Sequence, residues 1–466
     1  MNLTKEQQAI VNTICDPSVD FVAVNAVSGS GKTTLLKAIA DALDSKNGLY
    51  IAYNKAIATE AAGKFSNNVT CQTTHSLAYG NTVRAYHLKV DFFGYRQITE
   101  NIPYEDKLAL KDLIEAFCLS SYTSMEKYAK DISTSSLLTK LALSYLDKMS
   151  TGAIGCTHSF YLKMFHILLA SGQIRYEPFD LLMLDEAGDL NPVTLEIFKL
   201  LPAVKKVMVG DDNQNIYSFN GTINGFHEMK DTGVHMTMSQ SFRVADHIAN
   251  RIENFCRNHL DPDIHFRGVP YTDDEVTTSA FISRTNSALV SEMIDLEHAN
   301  QPYSLVRPPS SIFRLPLLLI GLKPGKFITD PEYKFLQDDM STYYRDRALM
   351  REMSLFSYIS RLYPDDVNLK SAITLITKHS ARAILSAFEA AKSHVGTKAP
   401  HTLCTAHSSK GLEFDQVTIG DDFNTLMDKI IDTPIDGRTR QEQEEMRLYY
   451  VAISRTKKLL LNAKHI

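Results

Sequence analysis

No apolar run in the chain is long enough to cross a bilayer. The longest, Leu315–Leu322, falls far short of the roughly 20 residues a spanning helix needs. The opening residues, Met1-Asn-Leu-Thr-Lys-Glu, lack the basic-then-apolar order of a secretory signal. The six cysteines, at 15, 71, 118, 156, 256 and 404, include no C-x-x-C pair. That spacing argues against a zinc site or a disulfide frame and predicts reduced, mostly buried thiols in a cytoplasmic protein. No internal repeat, heptad array or low-complexity tract is evident, so solenoid and coiled-coil architectures are excluded. Nor is there an excess of basic charge. The net charge of −5 lacks the usual electrostatic footprint of a nucleic-acid binder. That is a global sum, however, and a strand can be held in a narrow channel by backbone amides, hydroxyls and a few aromatics.

What remains is an ordinary globular composition, 44% hydrophobic and 22% charged over 466 residues, enough for two to four domains. The strongest local signal is Phe21-Val-Ala-Val-Asn-Ala-Val-Ser-Gly-Ser-Gly-Lys-Thr-Thr34. An apolar strand, Phe21–Val24, runs into a loop of small residues and then a helix over Leu35–Leu43. Small residues let successive N–H groups point at phosphate oxygens, and the helix N-terminus adds its dipole. Ser28, Gly29, Ser30, Gly31 and Thr34 build the cradle, Lys32 opposes the β and γ phosphates, and Thr33 ligates Mg²⁺. Ala26 stands where the strict pattern has glycine.

The other half of a nucleotide-hydrolysing site is an apolar strand ending in carboxylates, and Leu181–Leu184 followed by Asp185 and Glu186 has that form. Asp185 is expected to hold Mg²⁺, and Glu186 to orient and deprotonate the attacking water. A third apolar strand, Lys206–Gly210, leads to Gln214, a neutral group suited to sensing the γ-phosphate. Tyr217 and Phe219 alternate in the polar loop that follows and are candidates for base stacking.

Taken together, these motifs resemble the UvrD/Rep-type superfamily 1 helicases, and in detail the F-box DNA helicase branch. Leu3-Thr-Lys-Glu-Gln-Gln-Ala-Ile-Val11 is similar to the family's opening motif and assigns adenine reading to Gln7. Leu49–Ala58 and Thr73–Tyr79 resemble its first-lobe DNA motifs and nominate Tyr53, Asn54, Thr74 and His75; the usual aromatic aligns at Ala52, one place before Tyr53. Ser239-Gln-Ser-Phe-Arg243 implies that Phe242 stacks on adenine and Arg243 reaches the γ-phosphate. Cys404-Thr-Ala-His-Ser-Ser-Lys-Gly-Leu-Glu-Phe414 implies that Thr405 and His407 touch the DNA backbone and Glu413 the ribose. Glu445-Met-Arg-Leu-Tyr-Tyr-Val-Ala-Ile-Ser-Arg455 implies that Arg455 stabilises the transferring phosphoryl group. One departure is Gly188, where the family's acidic motif has a glutamine implied to link nucleotide and DNA.

The resemblance implies an α/β fold of two RecA-like P-loop lobes, each with an inserted, mostly helical subdomain. Residues 1–80 with 160–240 form the first lobe and 241–300 with 395–466 the second. Residues 81–159 are a helical insertion, typified by Asp106–Phe117. Residues 301–394 are a reduced second insertion that opens irregularly and later carries one amphipathic helix around Ala372–Lys392. The implied activity is ATP- and Mg²⁺-dependent helicase action on single-stranded and partial-duplex DNA, 3′ to 5′, by a cytoplasmic monomer serving replication, recombination or repair alongside proteins of those pathways. A translocase that displaces proteins and a nucleotide-switched DNA-binding module are the rival expectations.

Overall fold

The computed structural model describes residues 3–216, 221–273, 275–330, 332–364, 366–396 and 398–466. Tyr217 and Phe219 lie outside them. The chain divides into two compact units, Met1–Phe242 and Arg243–Ile466.

The first unit is built on six strands: β1 (Phe21–Ala26), β2 (Gly48–Ala52), β3 (Val69–Thr73), β4 (Phe179–Leu184), β5 (Ala203–Gly210) and β6 (Val234–Met238). They lie in the order β3-β2-β4-β5-β1-β6, and every pairing is parallel. Successive side chains point to opposite faces, and both faces are covered. Val22, Val24, Tyr50, Leu181, Met183, Val207 and Val209 face the helices Lys5–Cys15 and Lys32–Ala42 through Ile10, Ile14, Leu36 and Ile39. Phe21, Ala23, Leu49, Ile51, Leu182, Leu184 and Met208 share the opposite core with Leu110, Ile114, Phe117, Leu162 and Phe165. Those last five come from helices Tyr104–Leu119 and His158–Ala170, so the helical segment between β3 and β4 is packed into the sheet's own core.

Strands β7 (Gln240–Ala245) and β8 (Arg267–Val269) form a two-stranded ribbon. The second unit contains β9 (Ser279–Ser283), β10 (Ser304–Leu305), β11 (His401–Thr405), β12 (Phe414–Ile419) and β13 (Thr456–Leu461), ordered β10-β11-β9-β12-β13 and again all parallel. The α/β class expected from the sequence is therefore observed, with two parallel sheets flanked by helices, as in RecA-like lobes.

Two local expectations are corrected. The single helix around Ala372–Lys392 is two, Val367–Lys378 and Ala381–Ser393, because Ser380 caps the second with its side chain on the Ala383 N–H. The proline-rich opening of the second insertion is partly helical, over Pro309–Ile312 and Arg314–Ile320. Pro309 and Pro316 fall in first turns, where the missing N–H has no intrahelical acceptor to lose.

In the second unit, Arg284 at the end of β9 grips Glu445 with two hydrogen bonds of 2.6 Å, and little of either side chain is exposed. This pair ties helix Arg440–Ile453 to the sheet. Removing one partner strands a buried charge. Glu445→Ala should cost about 3 kcal/mol in denaturant unfolding, and adding Arg284→Met should recover most of it. Equal stability of Glu445→Ala and the parent would refute the clamp.

Candidate nucleotide and DNA site

All six strands of the first sheet run the same way, so their carboxyl ends share one edge, where α/β sheets bind ligands. The loop Val27–Gly31 follows β1, Asp185 and Glu186 follow β4, and Asp211 follows β5. In the loop, Gly29 and Gly31 adopt φ of 75° and 79°, a region costly for other residues. Ser28 and Ser30 are buried, and the Ser30 hydroxyl has no hydrogen-bond partner, as fits a group that awaits a phosphate or metal-bound oxygen. Lys32, Thr33 and Thr34 open the helix Lys32–Ala42.

The Lys32 ammonium lies 3.3 Å from Glu186 Oε1. Burial works against its charge, but Glu186, Asp185 and Asp211 together hold its pKa above the ordinary lysine value. Asp185 is pushed the other way: burial, then the Glu186 charge, raise its pKa despite Lys32 and Tyr50. Its two oxygens are fixed separately, Oδ2 by the Tyr50 hydroxyl at 2.5 Å and Oδ1 by the Glu186 N–H at 2.9 Å. Glu186 itself sits at φ 55°. A non-glycine residue held there stores roughly 1–3 kcal/mol of strain, a feature that clusters at functional sites. A lysine, two carboxylates and a serine hydroxyl at a glycine-turned loop suit a Mg²⁺-nucleotide.

The adenine candidates converge on the same loop. Gln7 accepts the Thr4 N–H, completing a capping box, and donates Nε2–H to the Ser30 carbonyl at 3.3 Å. Phe242 donates its N–H to the Gly29 carbonyl at 2.9 Å and keeps an exposed ring. A Cβ added to Gly31 would sit 3.3 Å from Gln7 and 3.7 Å from the Phe242 ring, so the two residues flank that glycine. Gln214 is buried, with Nε2 donating to Asp211 Oδ2 at 2.7 Å.

The DNA candidates of this unit line the same edge at β2 and β3. Tyr53 is exposed just beyond β2. Asn54 caps helix Lys55–Ala62 through the Ile57 N–H at 2.9 Å. Thr74 is buried at the start of helix Thr74–Tyr79, which Thr73 caps. His75 is half-buried, its Nδ1 has no partner, and burial followed by the nearby His158 lowers its pKa.

The second sheet arranges its candidates differently. Thr405 ends β11, caps the turn Ala406–Ser409 that holds His407, and its hydroxyl meets Ser408 Oγ at 2.8 Å. Glu413 and Arg455 instead immediately precede β12 and β13, at the amino edge. Glu413 is shared by Arg243 and Lys457, each at 2.8 Å. Arg455 lies just past helix Arg440–Ile453 and is buried, with Nε donating to the Val451 carbonyl at 2.8 Å.

Two family models match: the AAA domain over residues 7–220 and the UvrD-like helicase C-terminal domain over 357–465. The chain is thus similar to UvrD-like helicases. It is also similar to two F-box DNA helicases. F-box DNA helicase protein 1 of Schizosaccharomyces pombe is 25% identical, covering 98% of this chain and 57% of its own length. F-box DNA helicase 1 of Gallus gallus is 26% identical, covering 100% of the chain and 49% of its own. The chain thus spans about half the length of the curated relatives it matches.

In this UvrD-like chain the glycine at position 188 has a steric cause. A Cβ there would lie 2.3 Å from the Asp211 carbonyl oxygen, and one on Gly210 would lie 2.6 Å from the Ala187 nitrogen. The backbone after β5 occupies the place a glutamine side chain would leave from. Three contributors escaped sequence reasoning. Tyr50 hid in an apolar strand, where the question of where a buried hydroxyl finds its acceptor is the available signal. Asp211 stood beside two more polar residues, Asp212 and Asn213, with no local signal to single it out. Arg284 had no signal before its partner Glu445 was known. Gly188→Gln should lower stability by about 2 kcal/mol, from overpacking against fixed backbone. An unchanged melting temperature would show that the two loops separate freely.

Proposed function

We propose that this chain is a DNA-dependent ATPase and DNA helicase that moves 3′ to 5′ along a single strand. The observation that carries the reading is the meeting, at one sheet edge, of Lys32 with Glu186 at 3.3 Å beside an anchored Asp185. A nucleotide-switched binding module without turnover could dispense with both Glu186 and Arg455.

In this reading the N–H groups of the loop from Ser28 to Thr33 hold the phosphates and Lys32 opposes their charge. Gln7 and Phe242 take the adenine, and Glu413 the ribose. Thr33 and Asp185 hold Mg²⁺, which when bound neutralises phosphate charge. Glu186 orients the attacking water and takes its proton. Gln214 senses the γ-phosphate and passes its presence to the following loop, where Tyr217 and Phe219 meet bases. Arg243 and Arg455 stabilise the charge that develops on the transferring group. Tyr53, Asn54, Thr74, His75, Thr405 and His407 hold the strand. Single-stranded and partial-duplex DNA are the partners, in replication, recombination or repair. A translocase that displaces proteins and unwinds poorly is the second reading, favoured by the contact of Gly188 with Asp211 where the family's coupling glutamine would stand.

Single-stranded DNA should stimulate ATP hydrolysis, and Lys32→Ala should lower the stimulated rate by about 100-fold while DNA binding persists. Retained turnover would sink the assignment. Unwinding of 3′-tailed but not 5′-tailed duplexes separates helicase from protein displacement. Tyr50→Phe frees one oxygen of Asp185 and should raise the Mg²⁺ needed for half-maximal activity by about tenfold. An unchanged Mg²⁺ titration would remove Tyr50 from the site.

A further inference from the structure

We propose that the helical segment between β3 and β4 carries a docking pocket for one nucleobase of single-stranded DNA, with Phe92 as its stacking platform and Lys111, Glu115 and His158 at its rim. The proposal rests on the DNA-motor reading and deepens it.

Phe92 is the most exposed large apolar side chain among the described residues, at 76%. Its backbone is nevertheless fixed on both sides. The Asp91 N–H donates to the Cys156 carbonyl at 2.9 Å, and the Cys156 N–H to the Lys89 carbonyl at 2.8 Å. Gln97 accepts the Gly94 N–H at 2.9 Å and donates to the Phe92 carbonyl at 3.2 Å. The neighbouring Phe93 is buried in the core. Gly94 leaves room for the ring, since a Cβ there would lie 2.6 Å from it. A phenyl ring is thus held out in water by a rigid frame, although nothing in the fold requires it there.

That ring borders a cavity of about 640 Å³, together with Phe93, Ile114, Lys111, Glu115 and His158. The volume is in the range of small-ligand sites. Its rim mixes donors on Lys111 and His158 with acceptors on Glu115, around an apolar floor. A base has both a π-face and a donor-acceptor edge, and so uses every part of this lining. A phosphate would be opposed by Glu115 and Asp91, and a purely apolar ligand would gain nothing from the rim.

The pocket adjoins the row of DNA candidates. The His158 and His75 rings lie 6.3 Å apart, and both pack edge-on against Tyr161 at 5.5 and 5.6 Å. The Tyr161 hydroxyl also holds His158 Nδ1 at 3.0 Å. His75, with its unpartnered Nδ1, stands just beyond β3. A strand passing His75 therefore meets His158 and then the pocket.

The test is binding of a thymidine oligonucleotide that carries one 2-aminopurine, whose fluorescence falls when it stacks on an aromatic ring. The intact protein should quench it. Phe92→Ala, at an exposed position, should reduce the quench and weaken binding by about tenfold, the loss of one stacked base, and Phe92→Trp should restore both. Unaltered quench and affinity in Phe92→Ala would overturn the pocket, as would failure of Phe92→Trp to restore them. The ATPase of the intact protein with the same oligonucleotide distinguishes the two readings. No stimulation overturns the motor and this site with it, whereas stimulation with an unaltered Phe92→Ala overturns the pocket alone.

Discussion

The contact between Lys32 and Glu186 sets the terms for the first unit, because the two residues do not come from adjacent strands. Lys32 follows β1 and Glu186 follows β4, while β5 lies between them. The chain leaving β4 must therefore cross the end of β5. It does so by turning at Glu186 into the left-handed region and laying the Ala187 N–H on the Val209 carbonyl at 3.0 Å. The crossing passes so close that Gly188 and Gly210 leave no room for a Cβ. The strain at Glu186, the two glycines and the lost family glutamine are consequences of one geometric demand. The ion pair, largely shielded from water, keeps the crossing in place, since separating it would leave a lysine and two carboxylates poorly solvated.

Much of this was legible in the sequence, for a physical reason. A phosphate loop is local: small residues, a lysine and a helix start must be contiguous, so Ser28–Thr34 announce themselves. The buried parallel strands read as short apolar runs bounded by turns, and β1, β4 and β5 fell where such runs stood. The convergence of Gln7 and Phe242 on Gly31 followed from family resemblance alone, since no local pattern joins residues that far apart. Partnerships between distant polar side chains were not legible. Tyr50 with Asp185, and Arg284 with Glu445, are choices among many possible acceptors that only the folded chain makes. The break at Ser380 was missed because helical periodicity continues through it, while a single capping hydroxyl ends one helix and begins the next.

Several nominated residues carry structural duties as well. Asn54 and Thr405 cap helices, and Gln7 closes a capping box. These duties do not compete with ligand contact; they orient the side chains that would make it. They also mean that alanine at these positions alters local structure by about 1 kcal/mol before any ligand is considered. His75 differs, because its Nδ1 has no such duty.

The second sheet poses a different problem from the first. Thr405 leaves the carboxyl end of β11, whereas Glu413 enters the amino end of β12, and the strands are parallel. The segment joining them runs back against the strand direction. It contains a capped turn over Ala406–Ser409 and a left-handed Gly411 at φ 86°. Helical residues advance only about 1.5 Å each, against about 3.3 Å per residue for the strands being spanned. A connection that spends part of its length in helix has little slack to absorb displacement at either end. Glu413, at the far end of this segment, is held on both sides by Arg243 and Lys457. Gly411 is the position with the most conformational freedom in it, so a side chain there would stiffen the segment and strain it together.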